Sequence, residues 1–219
     1  MIKNILFDLD GTIINSEKGV TRSIRYALWE CGYQRETTQE ELRKCIGPPL
    51  TDSFRRRFGV PEEDVMRLIA AFRKRYRTRG VYECELYEGI RSCLERTRKL
   101  GYSVNLASSK NELACRQILS HLGILDLFDE IVGSSENASI ETKEEVIDEY
   151  FRRVPQKKRE ETVLVGDTHF DARGAKDAGI GFLGVSYGFG KERELTENGA
   201  EEVFASAREL EAYFEQLKN

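Results

Sequence analysis

Short apolar runs of three to six residues alternate along the chain with longer segments in which apolar positions recur every three or four residues. The runs are 4–7 (NILF), 102–107 (YSVNLA), 130–132 (EIV), 162–165 (TVLV) and 181–185 (GFLGV), bounded by Gly, Ser or Asp. Continuous apolar runs of this length predict strands buried on both faces of a parallel sheet. Between them, 89–100, 111–122, 142–152 and 170–178 carry helical periodicity. Gly follows the periodic segment in KLGY, HLGI and DAGI, as at a helix C-terminus. This alternation predicts an α/β fold, a Rossmann-like, doubly wound parallel sheet flanked by helices.

Residues 16–80 break the alternation. KGVTRSIRYALWECG sets Val20, Ile24, Ala27, Leu28 and Cys31 at helical spacing, and PEEDVMRLIAAFRKRYR opens on Pro61 and acids, a helix start. Shorter helical stretches around 38–45 and 51–58 flank IGPPL (46–50), and no strand pattern is visible. The expected organisation is an α/β core of residues 1–15 and 81–219, with an all-helical cap domain of residues 16–80 inserted after the first strand. Trp29 and Tyr33 are read as core of that insertion.

Composition narrows the function classes. With 40% hydrophobic and 33% charged residues over 219 positions, the chain suits a globular protein with a full core. No apolar run approaches the roughly 20 residues of a membrane span. One Lys precedes the first strand, without an apolar signal region, so a cytoplasmic location is expected. Five cysteines (31, 45, 84, 93, 115), odd in number and irregularly spaced, suggest neither a disulfide framework nor a zinc site. The net charge of −4 is uneven: residues 15–80 hold 15 Lys and Arg against 9 Asp and Glu, leaving −10 elsewhere. FRRRFG (54–59) and FRKRYRTRG (72–80) read mainly as solvated helix faces, with Arg22, Arg25 or Arg55 as candidates to meet an anionic group. Overall acidity argues against a nucleic-acid binder.

The candidate chemistry lies at strand ends, where open α/β sheets bind ligands. Asp8 and Asp10 follow the first strand, Ser108 and Ser109 follow VNLA, Lys143 opens a helix, and Asp167 and Asp171 follow TVLVG. Carboxylates gathered in one crevice repel unless a cation offsets them, and oxygen donors without His or Cys select Mg²⁺ over zinc. Lys143 and the serine hydroxyls could hold phosphate oxygens, and Gly11 and Thr12 suit an anion-binding turn. Asp8 is then placed to attack phosphorus and Asp10 to move a proton.

These residues carry a family resemblance. FDLDGT (7–12) resembles the first motif of the haloacid dehalogenase superfamily, in its phosphatase branch. LASSK (106–110) resembles the second, Lys143 the third, and VGDTHFDARGAKDAGI (165–180) the fourth; IGPPL is similar to a cap segment of phosphoglycolate-phosphatase-like members. The resemblance implies Asp8 as nucleophile and Mg²⁺ ligand, and Asp10 as acid/base that also binds Mg²⁺ through its main-chain carbonyl. It further implies Ser108 on a phosphate oxygen, Lys143 neutralising nucleophile and phosphate, Asp167 on Mg²⁺, and Asp171 orienting Lys143 or a metal-bound water. Family members usually have Pro after the motif-three Lys; Glu144 stands here.

The implied activity is Mg²⁺-dependent hydrolysis of a small, phosphoglycolate-like phosphate monoester through an aspartyl-phosphate. A 5′-nucleotidase and a phosphosugar mutase are the alternatives, and a non-enzymatic binding protein on the same scaffold is a further one. Retention of Asp10 speaks against a dehalogenase. The expected partner is a small phosphorylated metabolite, with no nucleic acid or membrane, for a monomer or homodimer.

Overall fold

Six strands form one parallel sheet in a computed structural model that describes residues 1–47, 50–135 and 139–218. In chain order the strands are β1 (Asn4–Phe7), β2 (Ile14–Asn15), β3 (Glu85–Leu86), β4 (Ser103–Asn111), β5 (Ile131–Ser134), β6 (Thr162–Gly166), β7 (Gly181–Val185) and β8 (Glu202–Phe204). The sheet order is β5-β4-β1-β6-β7-β8, while β2 and β3 form a separate antiparallel pair. Each of the five apolar runs lies within or overlaps one of these strands. The sixth, β8, has one exposed Glu and only three residues, too short to show a pattern.

Every residue of β1 is buried, as expected for a central strand covered on both faces. Leu6, Ala107 and Leu164 share one core with Val146, Ile147 and Tyr150 of helix α7 (Lys143–Arg153) and Ala172 and Ala175 of α8 (His169–Asp177). Alternation sends Ile5, Phe7, Val163 and Val165 to the opposite face, where they are equally inaccessible. The winding runs outward from β1 through β4 to β5, then restarts at β6 on the other side of β1. The reversal therefore falls among β4, β1 and β6, where such sheets place their ligand crevice.

The chain divides into two compact units, Met1–Asn15 with Glu85–Asn219, and Ser16–Cys84. Among its described residues the second is all helical: α1 (Glu17–Glu30), α2 (Gln39–Arg43), α3 (Leu50–Asp52), a π-helical turn (Ser53–Arg57), α4 (Glu62–Thr78) and a 3₁₀ turn (Gly80–Tyr82). It ends at Cys84 rather than Gly80 because the 3₁₀ turn belongs to it. The Gly19 N–H donates to the Glu83 carbonyl at 3.0 Å, and Arg75 grips the Glu83 carboxylate at 2.8 Å. Pro48 and Pro49 of IGPPL lie outside the described residues.

One reading of the helical unit needs correction. Trp29 is 63% exposed. The buried stripe of α1 is Val20, Ile24, Ala27 and Leu28, and one further residue turns the chain about 100° away from it. The three candidate arginines each make an exposed contact within the unit: Arg22 with Glu83 at 2.9 Å, Arg25 with Gln39 at 3.1 Å, and Arg55 with Glu62.

Candidate active site

The site converges from three adjacent strands: the acids follow β1 and β6, and β4 between Ser103 and Asn111 carries Ser108 and Lys110. β1 delivers Asp8 to the sheet edge, where its N–H still donates to the Val165 carbonyl at 2.9 Å. The chain then turns on Gly11 (φ +86°), whose N–H donates to the Ile14 carbonyl at 2.8 Å. That N–H therefore closes the turn, and the absent side chain leaves room for Asp167: a Cβ at Gly11 would overlap the Asp167 carboxylate. Thr12 is fully buried, and its hydroxyl has no hydrogen-bond partner among the described residues.

Lys143 is the hub. Its ammonium donates to Asp8 Oδ1 at 2.7 Å, to Asp171 Oδ1 at 2.8 Å and to the Ala107 carbonyl at 2.8 Å. All three N–H bonds of the group are thereby used. A positive charge at a helix N-terminus opposes the dipole, and a first-turn Pro is missing. A capping box replaces it: Thr142 accepts from the Glu145 N–H, and the Glu145 carboxylate accepts from the Thr142 N–H at 3.0 Å. Glu144, in the usual Pro position, adds a favourable charge to the first turn. Gly174 on α8 lets the Lys143 stem pass, since a Cβ there would lie 2.5 Å from Lys143 Cβ and Cγ.

Asp171 divides its oxygens. Oδ1 holds Lys143, while Oδ2 accepts from the Thr168 N–H at 3.0 Å and its hydroxyl at 2.7 Å, capping α8. Asp8, Asp167 and Asp171, all buried, each bring one oxygen to within 4.8 Å of the others. Asp10 sits beside them in chain and pairs through Oδ2 with Lys110 at 2.9 Å, while its Oδ1 is buried without a hydrogen bond among the described residues. Ser108 is buried and accepts from the Lys110 N–H at 3.3 Å; Ser109 is exposed. His169 opens α8 with a half-buried ring whose Nδ1 lies 3.6 Å from the Glu194 carboxylate.

Burial shapes the charge states. It lifts the Asp8 carboxyl to about 6, against the pull of Lys143 and with help from Asp171. Burial also lifts Asp167 well above the ordinary carboxylate range, reinforced by Asp171 and Asp8. For Lys143, burial works to lower the value, but Asp171 and Asp8 outweigh it and raise it. Four carboxylates thus face two ammonium groups, and Asp167 Oδ1 is buried with no hydrogen-bond partner among the described residues. An all-oxygen set of buried carboxyls that repel one another, with a stranded carboxylate oxygen, fits a divalent hard cation.

Two features were not legible in the sequence. The Lys110–Asp10 pair depends on β4 continuing to Asn111, four residues beyond the apolar run, through a register shift between Ser108 and Asn111. The backbone of the SYGFG loop (186–190) reaches Asp167: Phe189 N–H donates to Oδ2 at 2.7 Å and Gly190 N–H at 3.4 Å. The glycines following a strand end were its one visible signal.

The sequence profile of haloacid dehalogenase-like hydrolases matches residues 5–185, which include every carboxylate and both lysines of the site. A 5′-nucleotidase from Pseudomonas aeruginosa is 35% identical over 192 residues, 88% of this chain and 86% of that one. The pyrophosphatase PpaX of Halalkalibacterium halodurans is 29% identical over 209 residues, 95% of each chain. The crystal structure of a predicted phosphatase from Clostridium acetobutylicum superposes with a TM-score of 0.91 at 33% identity, covering 99% of this chain and 100% of that one. The chain belongs to the haloacid dehalogenase-like hydrolases, on their phosphatase branch.

Proposed function

We propose that the protein is a Mg²⁺-dependent phosphatase of small phosphate monoesters that works through a phosphorylated Asp8. The observation that carries this reading is the Lys143 ammonium bound at once to Asp8, Asp171 and the Ala107 carbonyl. Lys143 occupies Asp8 Oδ1 and fixes the carboxylate plane, so Oδ2 is the oxygen assigned to attack. As the Asp8–phosphorus bond forms and the ester P–O bond breaks, Asp10 gives its proton to the departing alcohol oxygen. Asp10 then takes a proton from water as it attacks the phospho-aspartate, releasing inorganic phosphate and restoring Asp8. Ser108, Thr12 and Ser109 are assigned to the phosphoryl oxygens, and Lys143, its three N–H bonds taken, to offsetting the charge on Asp8 and the phosphoryl group. Mg²⁺, held by Asp8, Asp167 and the Asp10 main-chain carbonyl, would offset charge on the phosphoryl group when bound.

The helical unit, where basic residues outnumber acidic ones, is assigned as the cap that selects substrate and excludes water. Phosphoglycolate-like acids are the first substrate class, by the resemblance of the IGPPL segment. Nucleoside 5′-monophosphates are the second, favoured by the 35% identity to a 5′-nucleotidase. Five free thiols, three of them buried, suit a reducing cytoplasm. No helix among the described residues is long and apolar enough to cross a membrane.

Purified protein is expected to hydrolyse p-nitrophenyl phosphate with Mg²⁺ and to stop with EDTA. Asp8→Asn should lower turnover by about 10⁴-fold or more with the fold intact; appreciable residual activity would sink the nucleophile assignment. Comparing kcat/KM across phosphoglycolate, nucleoside monophosphates, sugar phosphates and pyrophosphate decides the substrate class.

A further inference from the structure

We propose that the Ser186–Gly190 loop positions Asp167 for the cation, with Gly188, Gly190 and Tyr187 as positioning residues. This inference rests on the cofactor assignment made under the proposed function. Asp167 lies at the end of β6 with no accessible surface. Its Oδ2 takes two main-chain donors, Phe189 N–H at 2.7 Å and Gly190 N–H at 3.4 Å, while its Oδ1 has no hydrogen bond among the described residues. The two donors therefore decide which oxygen is left for a cation. Main-chain donors in a packed loop cannot swing away as a side chain would, so the carboxylate rotamer is set before any ligand arrives.

The glycines make that approach possible. A Cβ at Gly188 would overlap both the Asp167 carboxylate and the Gly11 carbonyl, and a Cβ at Gly190 would overlap the Asp167 carbonyl. Tyr187 ties the loop to the turn after β1: its hydroxyl donates to the Thr12 carbonyl at 2.9 Å, and its ring meets Tyr87 at 4.9 Å between centroids. The loop thus fastens the Asp167 strand end to the Asp8–Thr12 turn, two of the segments assigned to the cation.

The test is calorimetric titration of substrate-free protein with Mg²⁺, paired with thermal melts in EDTA and in saturating Mg²⁺. Gly188→Ala and Gly190→Ala should weaken Mg²⁺ binding by about tenfold or more, the range for changes to groups that orient a ligand. They should also lose the Mg²⁺-induced rise in Tm and raise the KM for Mg²⁺ more than they lower kcat at saturating metal. Tyr187→Phe, which keeps the ring, should move the same readouts in the same direction by less, and it carries the test where an Ala variant fails to fold. Folded variants that bind Mg²⁺ like the wild type, or lose EDTA stability alone, overturn the inference. Wild-type protein that binds no Mg²⁺ instead overturns the cofactor assignment beneath it.

Discussion

Both units carry surface ion pairs, but among the described residues only the α/β unit packs a charged cluster out of water. In the helical unit, pairs such as Arg22–Glu83, Arg55–Glu62 and Lys74–Glu30 lie at the surface, with at least one partner well exposed. Pairs of that kind contribute about 0–1 kcal/mol each. In the α/β unit, Lys143, Asp8 and Asp171 are packed together out of water, with side chains 4% to 10% exposed. Desolvating such groups costs more than a surface pair returns, so an arrangement like this is poor evidence of stabilisation. The comparison separates charge that keeps a unit soluble from charge confined for chemistry, and substitutions can test where that line runs.

The largest effect is expected from Lys143→Met. It leaves Asp8 and Asp171 buried without their cation, and breaking a buried pair in this way costs about 3–5 kcal/mol. Melts in EDTA should show the loss, and turnover should fall by about 10²-fold or more. An active variant of unchanged Tm would erase the distinction between the units.

Next is Gly174→Ala. Helix propensity alone favours Ala at a mid-helix site by about 1 kcal/mol. The new Cβ would lie 2.5 Å from the Lys143 stem, so a net loss of stability is expected. Displacing the ammonium by a fraction of an ångström should lower kcat by about tenfold or more. A more stable, fully active variant would show that the Lys143 position is not constrained by α8.

Glu149 offers a charged control within the α/β unit. Arg152, with Arg153 in support, overcomes burial and holds its carboxyl at about 2, below the ordinary 4.5. A depressed folded-state value contributes stability above about 4.5 that disappears as pH falls toward about 2. The Tm advantage of wild type over Glu149→Gln should be constant from neutral pH to about 5 and vanish near 2. A pH-independent gap would remove the ionic explanation. The smallest effect belongs to Arg55→Ala, for which the urea midpoint should move by the equivalent of about 0.5 kcal/mol or less.

How much of this was readable in advance depends on the range of the interactions. The strand ends bearing Asp8 and Asp167 follow from runs of apolar residues, a local signal. Thr168 and Asp171 form a capping box, T-x-x-D, also local. What escaped detection is set by distant chain. Lys110 reaches Asp10 because β4 runs on past its apolar core, and Asp167 is held by backbone N–H groups, which have no residue identity to read. Trp29 was misplaced for a simpler reason: its aromatic character outweighed its angular position on α1.

The β2–β3 pair has a consequence for how such a molecule can diversify. Ile14 stands opposite Leu86 and Asn15 opposite Glu85, so the chain leaves and re-enters the α/β unit at neighbouring points. With that gate hydrogen-bonded shut, the whole Ser16–Cys84 segment is topologically a loop. Closing a loop grows only logarithmically more costly with length, about 0.6 kcal/mol per doubling. The insert can therefore be lengthened, shortened or exchanged while the strands carrying the carboxylates keep their register. Selection can rewrite the Ser16–Cys84 unit without disturbing the strand ends that carry the carboxylates.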